Sequence, residues 1–244
     1  IESAPGDPAL LLERANLLRL HNQLDHALSD LSKVAKLDPS LHDRHILRAK
    51  VEIARENWGA AKTALNASLR AQSKSSEGYY LRSMVELQLG GGNPDGPCLR
   101  DARLAIDLQD KPSLEYHLHH IQILILKGNK DAVESAFSSA KDSHGELPAL
   151  QAVHAQWLAK TGNPEKAAVI YSGLRAATPT LTFHWWVEEA SMWRDHNHAK
   201  AKSAERQAMA AWESLPEIIR ARPAMHGKHQ RFIQSISSIQ QESP

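Results

Sequence analysis

Cysteine is almost absent from this chain. Cys98 stands alone, which rules out an internal disulfide and a cysteine-ligated zinc site and leaves the compartment open. Long apolar runs are missing too. The longest aliphatic stretch, Ile121 to Leu126, is broken by Gln122 and stops at Lys127, far short of the ~18 residues of a membrane span. Net charge is nearly absent: 29 Lys and Arg against 28 Asp and Glu leave +1. No long-range field is available to hold nucleic acid or an anionic membrane. The C-terminal Arg220, Arg222, Lys228 and Arg231 form the one local basic stretch and read as a solvated face. Catalytic signatures are lacking as well. There is no Gly-x-Ser-x-Gly elbow, no His-Glu-x-x-His, no strand followed by Gly-x-Gly-x-x-Gly, and no Gly-Lys-Ser/Thr. No catalytic residue and no cofactor is expected. The chain opens at Ile1 rather than Met, so it reads as a processed protein or an excised piece.

What the sequence does have is a period. Arg14-Ala15 recurs as Arg48-Ala49, and Arg82-Ser83 follows at the same interval. Ala27 recurs as Ala61 at that interval too, and Ala132 and Ala167 continue the series with a one-residue drift. The first unit, Pro8 to Leu41, carries Ala15, Ala27, Leu31, Val34 and Pro39. The second carries Ala49, Ala61, Leu65 and Ser68, with Trp58-Gly59 just ahead of its second helix. The fifth carries Ala155, then Gly162-Asn163-Pro164-Glu165-Lys166-Ala167, Tyr171 and Pro179. A sixth can be read through Ala204, Ala208, Ala211 and Pro216 with a lengthened inter-helix turn. These residues, and their period of about 34, resemble the tetratricopeptide-repeat family. In that family small side chains let two helices approach, a large one fills the space between them, and proline ends the second helix. One hairpin cannot bury its apolar face alone, so neighbours stack.

The resemblance implies an all-α, right-handed superhelical solenoid of about six hairpins plus a C-terminal capping helix. Residues 1–7 read as a linker, 8–216 as the solenoid, and 217–244 as a capping helix with a frayed tail. In the last segment Phe232, Ile233, Ile236 and Ile239 fall at helical spacing. The run Gly90-Gly91-Gly92-Asn93-Pro94-Asp95-Gly96-Pro97 cannot continue a helix and predicts a lengthened loop inside the third unit. Cys98 just after it occupies an alanine-like packing position.

Function follows from the resemblance as expectation: a protein-interaction adaptor or scaffold that holds a peptide or partner protein against a concave groove. Carried over position by position, the groove residues are Leu12, Asn16 and Arg19; Ile46 and Lys50; Tyr80, Met84 and Leu87; and His117, Ile121 and Leu124. Gln156 and then Trp186, Glu189 and Trp193 complete the set. The lining is apolar in its middle and polar towards its ends, which suits a peptide with a few apolar anchors. Relatives that bind the acidic tails of cytosolic chaperones use a clamp of Lys, Asn and Arg. Here only Asn16 remains of it, with Leu12, Leu47, Glu77 and Leu81 at the other places, so that use is not expected.

Histidine is abundant, with 14 present. His117 and His120 lie three apart on one helical face, and His196 and His198 flank Asn197. A two-histidine clip needs further ligands to close a metal site, and no cysteine can supply them. A histidine-dependent metal-binding or metal-delivery protein on the same scaffold is therefore the alternative reading. The non-catalytic region of a larger enzyme or membrane protein is a third.

Overall fold

Helix-starting residues punctuate the chain at regular distances, and the computed structural model follows them. It describes residues 6–241, with side chains to residue 237. Most of the predicted linker, the final residues of the predicted tail, and the side chain of Ile239 lie outside the described residues. Among the described residues there are fourteen α-helices and no strand.

The helices pack as consecutive pairs. The first four hairpins are α1 (Pro8–Leu20) with α2 (Leu24–Leu37), α3 (Asp43–Ala54) with α4 (Trp58–Ala71), α5 (Ser76–Leu89) with α6 (Pro97–Asp107), and α7 (Leu114–Lys127) with α8 (Lys130–His144). They form one compact unit, residues 1–145. The second unit, residues 146–244, holds α9 (Pro148–Lys160) with α10 (Pro164–Ala177), α11 (Thr182–Arg194) with α12 (His198–Glu213), and then α13 (Glu217–Arg220) and α14 (Pro223–Gln241).

Local chemistry fixes the boundaries. Asp7, Asn57, Ser75, Ser113, Asn129 and Asn197 each accept a backbone N–H of the helix they precede. Pro8, Pro97, Pro148 and Pro164 occupy first-turn positions, where a missing N–H costs nothing. The turn between paired helices carries a left-handed residue at equivalent places: Asn22, Glu56, Gly128 and Gly162, all with φ between 57° and 86°. The glycine-rich segment from Gly90 to Gly96 is a loop between α5 and α6. It makes the interval from the start of α5 at Ser76 to the start of α7 at Leu114 longer than that from Asp43 to Ser76. Trp58 and Gly59 are the first residues of α4 and do not precede it.

Small residues sit where paired helices touch. Ala15, Ala27, Ala49, Ala61, Ser83, Ala155 and Ala167 are fully buried, and so are the large residues Leu65 and Tyr171 beside them. Cys98 is buried with Leu87, Ala102 and Ile123, as the alanine-like reading expects. In the first unit, two hairpins add a bidentate polar tie. Arg14 reaches across to both carboxylate oxygens of Asp30, at 2.6 and 2.7 Å. Arg82 does the same to a fully buried Asp101, at 2.6 and 3.1 Å. Such bidentate pairing is what makes a buried carboxylate tolerable. In the second unit Arg194 pairs with Glu205 to tie α11 to α12.

The sixth hairpin departs from the sequence reading. Its inter-helix turn is residues 195–197, the same length as the turn of the fifth, so it is not lengthened. The buried ladder of α12 is Ala201, Ala204, Ala208 and Trp212, while Ala211 is only half-buried. Beyond it, α14 meets the hairpin through aromatic groups. His229 stacks on Trp212 with ring centroids 4.1 Å apart, and Phe232 packs edge-on to Phe183.

Candidate functional site: the first-helix face

In the first unit the outward rows of α1, α3, α5 and α7 carry the surface the sequence points to. Asn16 is exposed, and Leu12, Arg19, Ile46, Lys50 and Met84 are half-buried, so all six can be reached. Arg19 donates to the Asn16 side-chain oxygen, and Lys50 pairs with Glu77 at 2.7 Å. Tyr80 lies deeper. Its hydroxyl donates to Glu115 Oε1 at 2.7 Å, and its ring stacks on Tyr116 and meets His119 edge-on. Burial first, and then the neighbouring Glu115 carboxylate, raise the Tyr80 phenol above its ordinary range. It is a neutral, fixed group that closes the gap between α5 and α7.

Five of the expected groove residues in this unit are buried. Besides Tyr80, these are Leu87, His117, Ile121 and Leu124. For the three on α7 the physical reason is register, whereas Tyr80 and Leu87 are covered by packing against the neighbouring helices. Ser113 caps α7, so the fourth hairpin starts at Leu114, one full repeat period before Pro148. Counted from there, Ile121 is the equivalent of Ala155 and is 0% exposed. Val133, Phe137 and Ala140 then stand one period before Ala167, Tyr171 and Leu174, and all six are buried. The drift in the sequence reading comes from taking Ala132, which is half-buried, in place of Val133. The corrected register moves the accessible α7 positions to Glu115, Leu118, Gln122 and Ile125, of which Glu115 and Gln122 are exposed and Leu118 and Ile125 half-buried. Sequence reasoning misses these four. The signal that could find them is the Ser113 cap together with the Val133–Phe137–Ala140 series.

In the second unit Gln156 is exposed. Trp186 is half-buried beneath the Arg175 guanidinium, which lies 3.6 Å over its ring. Glu189 and Trp193 are buried. Glu189 accepts from Arg175 and from the Trp193 indole, so both serve the packing of α10 on α11 and offer no free surface.

The histidines divide in the same way. His117, His119 and His120 are all buried on α7. The His117 ring meets His144 edge-on, and His119 Nε2 lies 2.8 Å from the Ser83 hydroxyl. That hydroxyl already donates to the Cys98 carbonyl, so the imidazole donates to it. Burial pushes His119 and His120 down to about 4, and it lowers His117 as well. These are neutral core groups at pH 7. His196 and His198 are exposed beside the α12 cap. Among the described residues no three His, Cys, Asp or Glu side chains converge as a metal site would require, so the metal alternative gains no support. No helix among them is long and apolar enough to cross a membrane.

No family model matches the chain, and no curated protein matches it. Solved structures do. YrrB, described as a tetratricopeptide-repeat protein with an unusual peptide-binding site, is 21% identical over 84% of this chain and 95% of its own, with a TM-score of 0.57. PilW, a type IV pilus biogenesis factor, is 13% identical over 86% and 96% with a TM-score of 0.67. PilF of Pseudomonas aeruginosa is 13% identical over 85% and 93% with a TM-score of 0.63. At these identities the likeness speaks for the fold, which is that of the tetratricopeptide repeat.

Proposed function

We propose that this chain is a protein-interaction module whose first-helix face, in the unit of residues 1–145, receives an extended or helical segment of a partner. The observation that carries the reading is a row of reachable side chains on α1, α3, α5 and α7, to which α5 contributes Met84 while its Tyr80 and Leu87 pack inward. Leu12, Ile46, Met84, Leu118 and Ile125 are left reachable, and Asn16, Arg19, Lys50 and Gln122 stand among them. Apolar side chains half-buried between polar ones supply anchoring area, while the amides and cations meet the partner's backbone and carboxylates. Met84 can repack around different anchors. The role proposed is binding and not catalysis. YrrB, with its peptide-binding site, offers a precedent for peptide recognition on this fold.

The test is an affinity capture with the intact chain and a Lys50→Ala/Met84→Ala/Gln122→Ala variant, after circular dichroism has shown both to be equally helical. A protein retained by the intact chain and lost at least tenfold by the variant is the expected outcome. Equal retention by both would move the working surface off this face.

A further inference from the structure

Away from the first-helix face, the unit of residues 1–145 has a cleft of about 550 Å³ where α6, the end of α7 and α8 meet. Its origin is in the sequence. The side chains that α8 turns into it are all small: Ala132, Ser135, Ala136 and Ser139. Leu99 and Leu124 form its apolar wall, with the neutral His120 beside them. The remaining lining side chains are Arg100, Arg103 and Lys127. No carboxylate lines the cleft, although the chain as a whole carries 28. Each cation has an acidic neighbour to the side: Arg100 by Asp101, Arg103 by Asp107 at 2.9 Å, and Lys127 by Asp95 at 3.2 Å. Arg103–Asp107 and Lys127–Asp95 are exposed pairs worth at most about 1 kcal/mol each, and Arg100 is only the longer, 3.4 Å partner of an Asp101 already held by Arg82, so a ligand can redirect all three cations.

We infer that this cleft is a second docking site, and that its occupant is an acidic segment of a partner protein bearing an apolar side chain. The apolar wall takes the anchor. Arg100 and Arg103, about 4.5 Å apart along α6 by helical rise, and Lys127 at the end of α7 meet the carboxylates that flank it. The Ser135 and Ser139 hydroxyls remain to bond the peptide backbone. The recess favours a peptide over an anionic bilayer, because a planar surface would meet the guanidinium rim and leave the apolar wall untouched. A nucleic acid would find no aromatic side chain in the lining other than His120 on which to stack a base.

The experiment is selection from a random dodecapeptide phage library on the intact chain, followed by affinity measurement of the enriched peptides by fluorescence anisotropy. The expected result is a family in which Asp or Glu flanks a Leu, Ile or Phe. These peptides should bind at least tenfold more weakly to Arg100→Gln/Arg103→Gln/Lys127→Gln, and also to Ser135→Trp, which fills the cleft without changing charge. Affinity should fall as salt rises from about 50 to 300 mM. Enriched peptides without acidic residues, or acidic ones held equally by both variants, would overturn the inference. Acidic peptides lost only by the Lys50→Ala/Met84→Ala/Gln122→Ala variant would overturn it while leaving the first-helix reading in place. No enriched acidic family, with co-sedimentation on phosphatidylglycerol vesicles that the glutamine variant abolishes, would assign the cleft to a membrane surface and overturn it too.

Discussion

At the scale of single residues, two positions show where the chain stores and where it loses stability. Asp101 is a carboxylate with no exposure to water, held by Arg82. Arg82→Met would leave that charge buried with one weak neighbour, and the expected cost is about 3–5 kcal/mol by urea denaturation. Arg14→Met should cost clearly less, because Arg14 is far more exposed than Arg82. Hydrogen bonding from Arg14 holds the Asp30 carboxyl below its usual range against the opposing effect of burial. Its contribution is therefore complete above the unfolded carboxyl value, near 3.9, and is lost as pH falls through the lower folded value. The opposite case is Glu56. Asn22, Gly128 and Gly162 fill the equivalent left-handed turn position with residues that tolerate it, whereas Glu56 sits there with φ 57°. Glu56→Gly relieves the Cβ clash at some entropic cost, and a net gain of about 0.5–1 kcal/mol in unfolding free energy is expected. A loss of stability in that variant would mean the glutamate makes a compensating contact.

At the scale of the element, α7 concentrates both the correction and the chemistry. Its register separates a core row, Ile121, Ile123 and Leu124, from an accessible row, Leu118, Gln122 and Ile125. Ile121→Ala should cost about 2–5 kcal/mol as a cavity in a filled core, while Leu118→Ala should stay near or below about 1 kcal/mol. Reversal of that order would return the helix to the register first read from the sequence. The same helix makes the first unit acid-sensitive. His119 and His120 stay neutral down to about 4 in the folded chain, against about 6.5 unfolded. The unfolded chain therefore binds protons first as pH falls. Stability that is whole above about 6.5 declines through the interval down to about 4, by roughly 3 kcal/mol for each imidazole at the end of it. Melting temperatures at pH 7 and pH 4.5 should differ by several degrees, and His119→Gln/His120→Gln should narrow that difference even where it lowers stability at pH 7. An unchanged difference would show that other groups carry the acid response.

At the scale of the whole molecule, the chain divides into two compact units. Unfolding of a chain stacked from hairpins is a sum over neighbours, so one transition need not describe it. Residues 6–145 contain four complete hairpins, each with its own buried small-residue contact and most with a capped first helix. Expressed alone, that fragment should keep its helical circular dichroism and melt cooperatively. A fragment without helical signal would show that the first unit depends on the second. A folded fragment would also let both proposed docking surfaces be measured without α9 to α14.

How much of this was legible in the sequence can be read hairpin by hairpin. The repeat period, the small residues, the capping Asp, Asn and Ser and the first-turn prolines determined the helical hairpins, because each is a local requirement of helix start, helix stop or close approach. The glycine-rich loop was legible for the same reason: no helix passes through Gly90 to Pro97. In hairpins one to three the accessible row was legible except at Tyr80 and Leu87, since the period runs through them unbroken. It failed in the fourth, where the loop shifts the count and a one-residue slip turns a helical face by about 100°. Only the tertiary structure decided that Tyr80 and Leu87 pack inward, that Glu189 answers Arg175, and that three cations share a cleft free of carboxylates. Those are facts of which side chains meet across different helices, and no repeat period carries them.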